Sequence, residues 1–149
     1  MSARATELGI QARKNEEEAQ RRYERIRYEA EVMQSCTFQF STDVTTAIQD
    51  GVGNFNQAVG RGSARFIDLS LSCLRLTRWQ IPGIIIAVTI DVSKRRILVE
   101  CERKDHGGVR RDPPVEFPLS ANGDCIQISL KGKPISETEF ADLLIEYFV

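Results

Sequence analysis

The sequence predicts an α+β fold: a long N-terminal helical arm, an antiparallel meander sheet of about five strands, and a C-terminal helix packed on the sheet. Three observations carry that expectation. Apolar residues recur at helical spacing up to residue 59, the period changes from 3.6 to 2 at Arg65, and a capped amphipathic segment ends the chain. The expected organisation is an arm over residues 1–60 and one globular domain over residues 61–149.

Residues 1–35 hold seven basic and seven acidic side chains and no proline. From Ala19 the steps to Tyr23, Ile26, Ala30 and Met33 are 4, 3, 4 and 3, the spacing of a coiled-coil seam. Glu16 interrupts the seam on its N-terminal side. The charges around it are placed to pair one turn apart, Glu17 with Arg21 and Glu18 with Arg22. A helix this polar does not suit the interior of a small domain, so it is expected to project or to zip against a second copy. A homo-oligomer is the expected state, with a protein partner as the other use of the arm.

The seam spacing continues through Thr37, Phe40 and Val44, then relaxes to Ile48, Val52, Phe55 and Val59. Helix is therefore expected over about residues 4–59, kinked or interrupted near 35–42. There Phe38 and Phe40 also alternate like a short strand, and Ser41, Thr42 and Asp43 are cap-forming residues. Gly51 and Gly53 each weaken the helix by about 1 kcal/mol relative to Ala, so packing must hold it there. Gly60 and Gly62 form its natural stop.

Beyond Arg65 the strands follow in order. Ile67, Leu69 and Leu71 alternate with polar residues as in a half-buried strand, and the phase shift to Leu74 and Leu76 predicts a bulge near Cys73. Ile81-Pro82-Gly83 is a turn. Residues 84–92 are apolar at nearly every position, which predicts a central strand covered on both faces. The chain turns over 91–96 and returns with Ile97, Val99 and Cys101 inward. A twelve-residue connection, 103–114, leads to Val115, Phe117 and Leu119, where Pro118 predicts a sheet edge. Asn122-Gly123 is a hairpin signal leading into Ile126, Ile128 and Leu130. Ser136 and Glu139 have the spacing of a capping box, with Ile135 and Phe140 as its hydrophobic staple. Phe140, Leu143, Leu144, Tyr147 and Phe148 then form one apolar face.

Composition limits function more than it specifies it. The chain has 149 residues, 42% hydrophobic and 28% charged, with a net charge of −1. That argues for one folded core and against disorder, and no bulk charge draws the chain to nucleic acid or membrane. No signal-like or membrane-spanning run is present, which makes the cytoplasm the expected location. Cys36, Cys73, Cys101 and Cys125 are widely separated in apolar or strand-like runs, as expected of buried free thiols. Neither they nor the single His106 show metal-ligand spacing, so no metal and no cofactor is expected.

The charge is nevertheless uneven. Residues 61–111 carry eleven basic and five acidic side chains, and residues 112–149 two basic and seven acidic. The basic residues Lys94, Arg95, Arg96, Arg103, Lys104, Arg110 and Arg111, with His106, are the candidate contacts for an anion or a partner. The 94–96 turn and the 103–114 connection fall at opposite ends of a hairpin, so they do not form one patch, and no exposed aromatics interleave them. Nucleic-acid binding is thus the third reading. Catalysis has no candidate residues beyond His106 beside Asp105, with no nucleophile motif. Gly51-Val52-Gly53 and Gly60-Arg61-Gly62 lack the Lys-Ser/Thr of a phosphate loop. The first reading is a non-enzymatic protein–protein interaction or assembly module that self-associates through Ala19, Tyr23, Ile26, Ala30 and Met33. The second is a small-ligand-binding or enzymatic domain with a pocket between sheet and helix, its mouth lined by Cys101 or Cys125 and the 103–114 loop.

Overall fold

The hydroxyl of Ser2 accepts from the Ala5 amide at 3.1 Å and starts α1 (Ala3–Ser35), one helix of 33 residues. The computed structural model describes residues 2–60, 63–70, 72–80 and 83–149. Gly62 of the expected helix stop, Leu71 of the expected strand and Ile81-Pro82 of the expected turn lie outside the described residues. The interruption falls at Cys36, and α2 (Thr37–Val59) follows at once. Hydrogen bonding carries across the break, from the Cys36 amide to the Val32 carbonyl and from the Phe40 amide to the Cys36 carbonyl, each at 2.9 Å. The Thr37 hydroxyl donates to the Met33 carbonyl at 2.6 Å, a back-bond that bends helices. Phe38 and Phe40 are helical, so the strand alternative at this point fails, and Ser41 is buried inside α2 rather than capping it.

Among the described residues eight strands follow, rather than about five. They are β1 (Arg65–Ser70), β2 (Cys73–Arg78), β3 (Gly83–Asp91), β4 (Arg96–Asp105), β5 (Gly108–Arg111), β6 (Val115–Asn122), β7 (Cys125–Leu130) and β8 (Lys133–Ile135). All pairings are antiparallel, in the order β1-β2-β3-β4-β6-β7-β8, with β5 beside β4. The last element is α3 (Glu137–Glu146).

One face of the sheet is the core floor. Leu76, Ile86 and Cys101 are neighbours across β2, β3 and β4, as are Leu74, Val88 and Val99, and Ile97 pairs with Phe117. Phe40, Val44, Ile48 and Val52 of α2 and Phe140, Ala141 and Leu144 of α3 cover that face in the same buried cluster. α2 and α3 pack against each other: a Cβ at Gly51 would lie 3.6 Å from Ile145 Cγ1. Asn56 ties the end of α2 to the sheet, donating to the Ala64 carbonyl and accepting from its amide at 2.8 Å each. Arg78 lies over the Phe55 ring and donates to the Phe148 carbonyl at 2.6 Å, holding the C-terminus down.

The phase shift near Cys73 marks a reversal between β1 and β2, because Ser70 pairs with Cys73, and the bulge sits between Asp68 and Ser70. Ile67 and Leu69 point away from the helices at 41% and 56% exposure, since β1 is an edge strand on the uncovered side. β3 is covered on one face only: Ile84, Ile86, Val88 and Ile90 are buried, while Ile85 and Ala87 are half-exposed. The connection 103–114 is mostly a hairpin in which β4 continues to Asp105 and β5 pairs back onto it. β6 is an interior strand. It pairs with β4 up to Pro118 and with β7 from Leu119 onward, so the proline stands where one ladder hands over to the other. The Asn-Gly hairpin forms with Gly123 and Asp124 as its two loop residues and Asn122 paired to Cys125.

Candidate functional site

The polar N-terminal helix overhangs the domain. Every residue from Ser2 to Tyr28 is exposed, and α1 first becomes buried at Val32 and Met33. α2, in contrast, lies within the core, so the overhang is confined to α1. Ion pairs lace its surface: Arg4 with Glu7 at 3.6 Å, Arg13 with Glu17 at 3.6 Å and Arg27 with Glu31 at 3.3 Å. The expected Glu17–Arg21 and Glu18–Arg22 pairs do not form among the described residues, because Glu17 turns to Arg13. Pairs this exposed add at most a few tenths of a kcal/mol each.

The five expected seam residues separate into two groups. Met33 is 4% exposed and belongs to the chain's own core. Ala19, Tyr23, Ile26 and Ala30 are exposed, with Tyr23 and Ile26 each 63% accessible. The stripe that faces the core at Met33, Phe40 and Val44 thus runs on past the edge of the domain. Leu8 and Ile10 are exposed nearer the N-terminus.

Two contacts fix the root of the overhang. Tyr28 donates to the Asp124 carboxylate at 2.7 Å and to the Gly123 carbonyl at 3.2 Å. That hydrogen bond to Asp124 holds the Tyr28 phenol above its ordinary range. On the neighbouring side Glu29 faces Arg95 at 3.6 Å. The β6–β7 turn and the β3–β4 turn therefore grip one helical turn of α1. Asp91 shapes the second of these turns by accepting from Ser93 Oγ at 2.6 Å and the Lys94 amide at 3.1 Å, which lowers its pKa.

A cavity of about 510 Å³ opens beside this root. Ala30, Met33, Gln34, Thr37 and Ser41 line it from the helices, and Ser72, Ile90, Val92, Ser93 and Arg95 from the sheet. Sequence reasoning missed it, because its lining comes from three separate segments. The seam positions Ala30 and Met33 and their continuation Thr37 pointed only to its helical wall.

The candidate basic residues are dispersed and mostly matched by acids. Arg95 meets Glu29, Arg96 pairs with Glu116, and Asp112 receives both Arg103 at 3.1 Å and Arg110 at 3.8 Å. Lys94 and Arg95 lie in the β3–β4 turn, whereas Gly83 pairs with Lys104 at the opposite end of the same hairpin. Lys104 and His106 border a hollow of about 230 Å³ with Trp79, which is 63% exposed, so one exposed aromatic does stand beside these basic residues, contrary to the sequence expectation. The Asp105 carboxylate accepts from the Gly107 amide at 2.8 Å and so shapes the turn that holds His106. Arg111 stands in β5 on the uncovered side of the sheet, in a hollow with Arg75, Glu100 and Glu102.

A cleft of about 340 Å³ does separate α3 from the sheet, lined by Arg103, Val115, Phe117, Leu130, Leu143, Leu144, Glu146 and Tyr147. Neither expected cysteine lines it. Cys125 is exposed near Cys36, whose thiol donates to the Asp124 carbonyl at 2.9 Å. Cys101 is buried, and burial pushes its thiol up to about 11, which keeps it protonated. All four cysteines are free, but only Cys101 is buried; Cys36 and Cys73 are half-buried. Among the described residues no helix is long and apolar enough to cross a membrane. Compared with family models, curated proteins and solved structures, the chain matches none.

Proposed function

We propose that the protein is a non-enzymatic assembly module that self-associates through α1. One observation carries this reading: Ala3 to Tyr28 form helix yet touch too little of their own chain to be covered anywhere. A 33-residue helix is about 50 Å long, and a free helix of this polarity gains little from propensity alone. A second helix laid along Ala19, Tyr23, Ile26 and Ala30 removes those side chains from water and gives the overhang the packing it lacks. The pairing of Arg95, Arg96, Arg103 and Arg110 with acids of the same chain favours this reading over nucleic-acid contact.

Ile26→Asp tests it. The substitution puts a charge into the seam without touching the core, so sedimentation should show a dimer shifted toward monomer with the thermal transition of the sheet domain retained. An unchanged oligomeric state would make the seam an ordinary solvated face.

A further inference from the structure

We infer that the cavity beside the root of α1 is a binding site for a neutral aliphatic alcohol, a molecule with an apolar body and one hydroxyl. Its volume of about 510 Å³ falls in the range of sites that take small molecules. Ala30 and Met33 of α1 wall it on one side, and Ile90 and Val92 wall it from β3 and the turn after it. An apolar body laid between them takes apolar surface out of water.

The polar group that marks the site is Ser41. It is 2% exposed and sits in α2 among the buried residues Phe40, Val44 and Ile48. Thr37 and Thr42 of the same helix donate to the carbonyls one turn back, at 2.6 and 2.9 Å. Ser41 makes no such bond, and among the described residues its hydroxyl has no partner. The polar side-chain atoms sealed without a partner there are Thr77 Oγ1 and Arg96 Nε, and Ser41 Oγ is not one of them. It opens instead into the cavity that Ser41 lines. A buried hydroxyl with its hydrogen bond unmade is what the polar group of a ligand completes.

The chemistry around Ser41 sets the class of ligand. The Thr37 hydroxyl already donates its proton to the Met33 carbonyl, so its oxygen can only accept. Thr37 and Ser41 stand one turn apart in α2, and both line the cavity. An alcohol hydroxyl suits this pair, since it accepts from Ser41 and donates to Thr37. A ketone or ether serves Ser41 alone. Among the described residues Arg95 is the one charged side chain in the lining. Glu29 already faces its guanidinium at 3.6 Å, so the mouth carries no net charge to hold an anion. A carboxylate or an ammonium buried here would leave its charge unpaired, a cost that a hydroxyl avoids. An alcohol in place also ties the last turns of α1 to the β3–β4 turn.

Titration calorimetry on the full chain tests the assignment with 1-octanol, sodium octanoate and octylammonium chloride, three probes with similar tails and different heads. Octanol should bind saturably, and each charged probe about tenfold more weakly or worse. Ser41→Ala should weaken octanol about fivefold, the share of one hydrogen bond, and leave the thermal transition of the free protein in place. With octanol bound, amides of residues 30–41 should exchange with solvent more slowly. Absence of saturable octanol binding would overturn the site. Either charged probe binding as tightly as octanol would overturn the class of ligand. Octanol binding that survives Ser41→Ala unchanged, or leaves those amides unprotected, would put the ligand elsewhere and overturn the placement. The outcome is separable from self-association. Ile26 does not line the cavity, so Ile26→Asp should bind octanol as wild type does, whatever its oligomeric state.

Discussion

The Tyr28 hydroxyl donates to the Asp124 carboxylate across 2.7 Å, joining the last exposed turn of the overhang to the β6–β7 hairpin. Ninety-six residues separate the two in the chain. With Glu29 and Arg95 alongside, this contact decides where α1 leaves the domain and which side of the helix faces outward.

Tyr28→Phe removes the donor and keeps the ring. Amides of residues 28–35 should then exchange with solvent several-fold faster, while those of β3 and β4 keep their protection, because the root is a local opening unit. The same bond has a pH signature. Its phenol titrates above the ordinary 10.0, so the contact is present below that value and is lost as pH rises through the raised one. Absorbance titration of wild type against Tyr28→Phe should isolate one phenol ionising above 10.0; one ionising at or below it contradicts the contact.

The closing helix offers a comparison within one element. Phe140 is fully buried, with its ring edge-on to Phe117 at a centroid distance of 4.9 Å. Phe140→Ala should cost about 3–5 kcal/mol. Ser136 accepts from the Glu139 amide at 3.1 Å at the exposed N-terminus of α3, and Ser136→Ala should cost about 1 kcal/mol. Urea denaturation should separate the two clearly. Equal, mild effects would mean that α3 is only loosely held on the sheet.

Gly53 sits inside α2 with nothing within 4 Å of where its Cβ would stand. Gly53→Ala should therefore stabilise the fold by about 1 kcal/mol, by lowering the entropy of the unfolded chain and favouring helix. A lower melting temperature would show that the fold itself requires the glycine and would contradict the open space beside it.

What the sequence made legible was local. The cap at Ser136, the staple at Ile135 and Phe140, and the Asn122–Gly123 hairpin each depend on residues a few positions apart. The expectations that failed depended on what another segment covers. Ile67 and Leu69 alternate as core residues do, but no element lies over the outer side of β1. Pro118 reads as an edge residue until β6 is seen to exchange β4 for β7 at that point. The β5 hairpin was hidden because Val109 is its only large apolar residue. For the candidate site, the heptad spacing located the exposed part of the stripe, but periodicity alone could not show that Met33 turns into the chain's own core. The cavity beside it was invisible, since Ser41, Ser72 and Arg95 meet only through the tertiary fold.

The central claim is that the overhanging helix is covered by another copy of itself. Its most direct test is the mass of the wild-type chain in solution, measured by sedimentation equilibrium from about 1 to 100 µM, since association follows mass action. The account predicts a mass that rises with concentration toward twice 16.8 kDa. A mass that stays at 16.8 kDa across the whole range would contradict it.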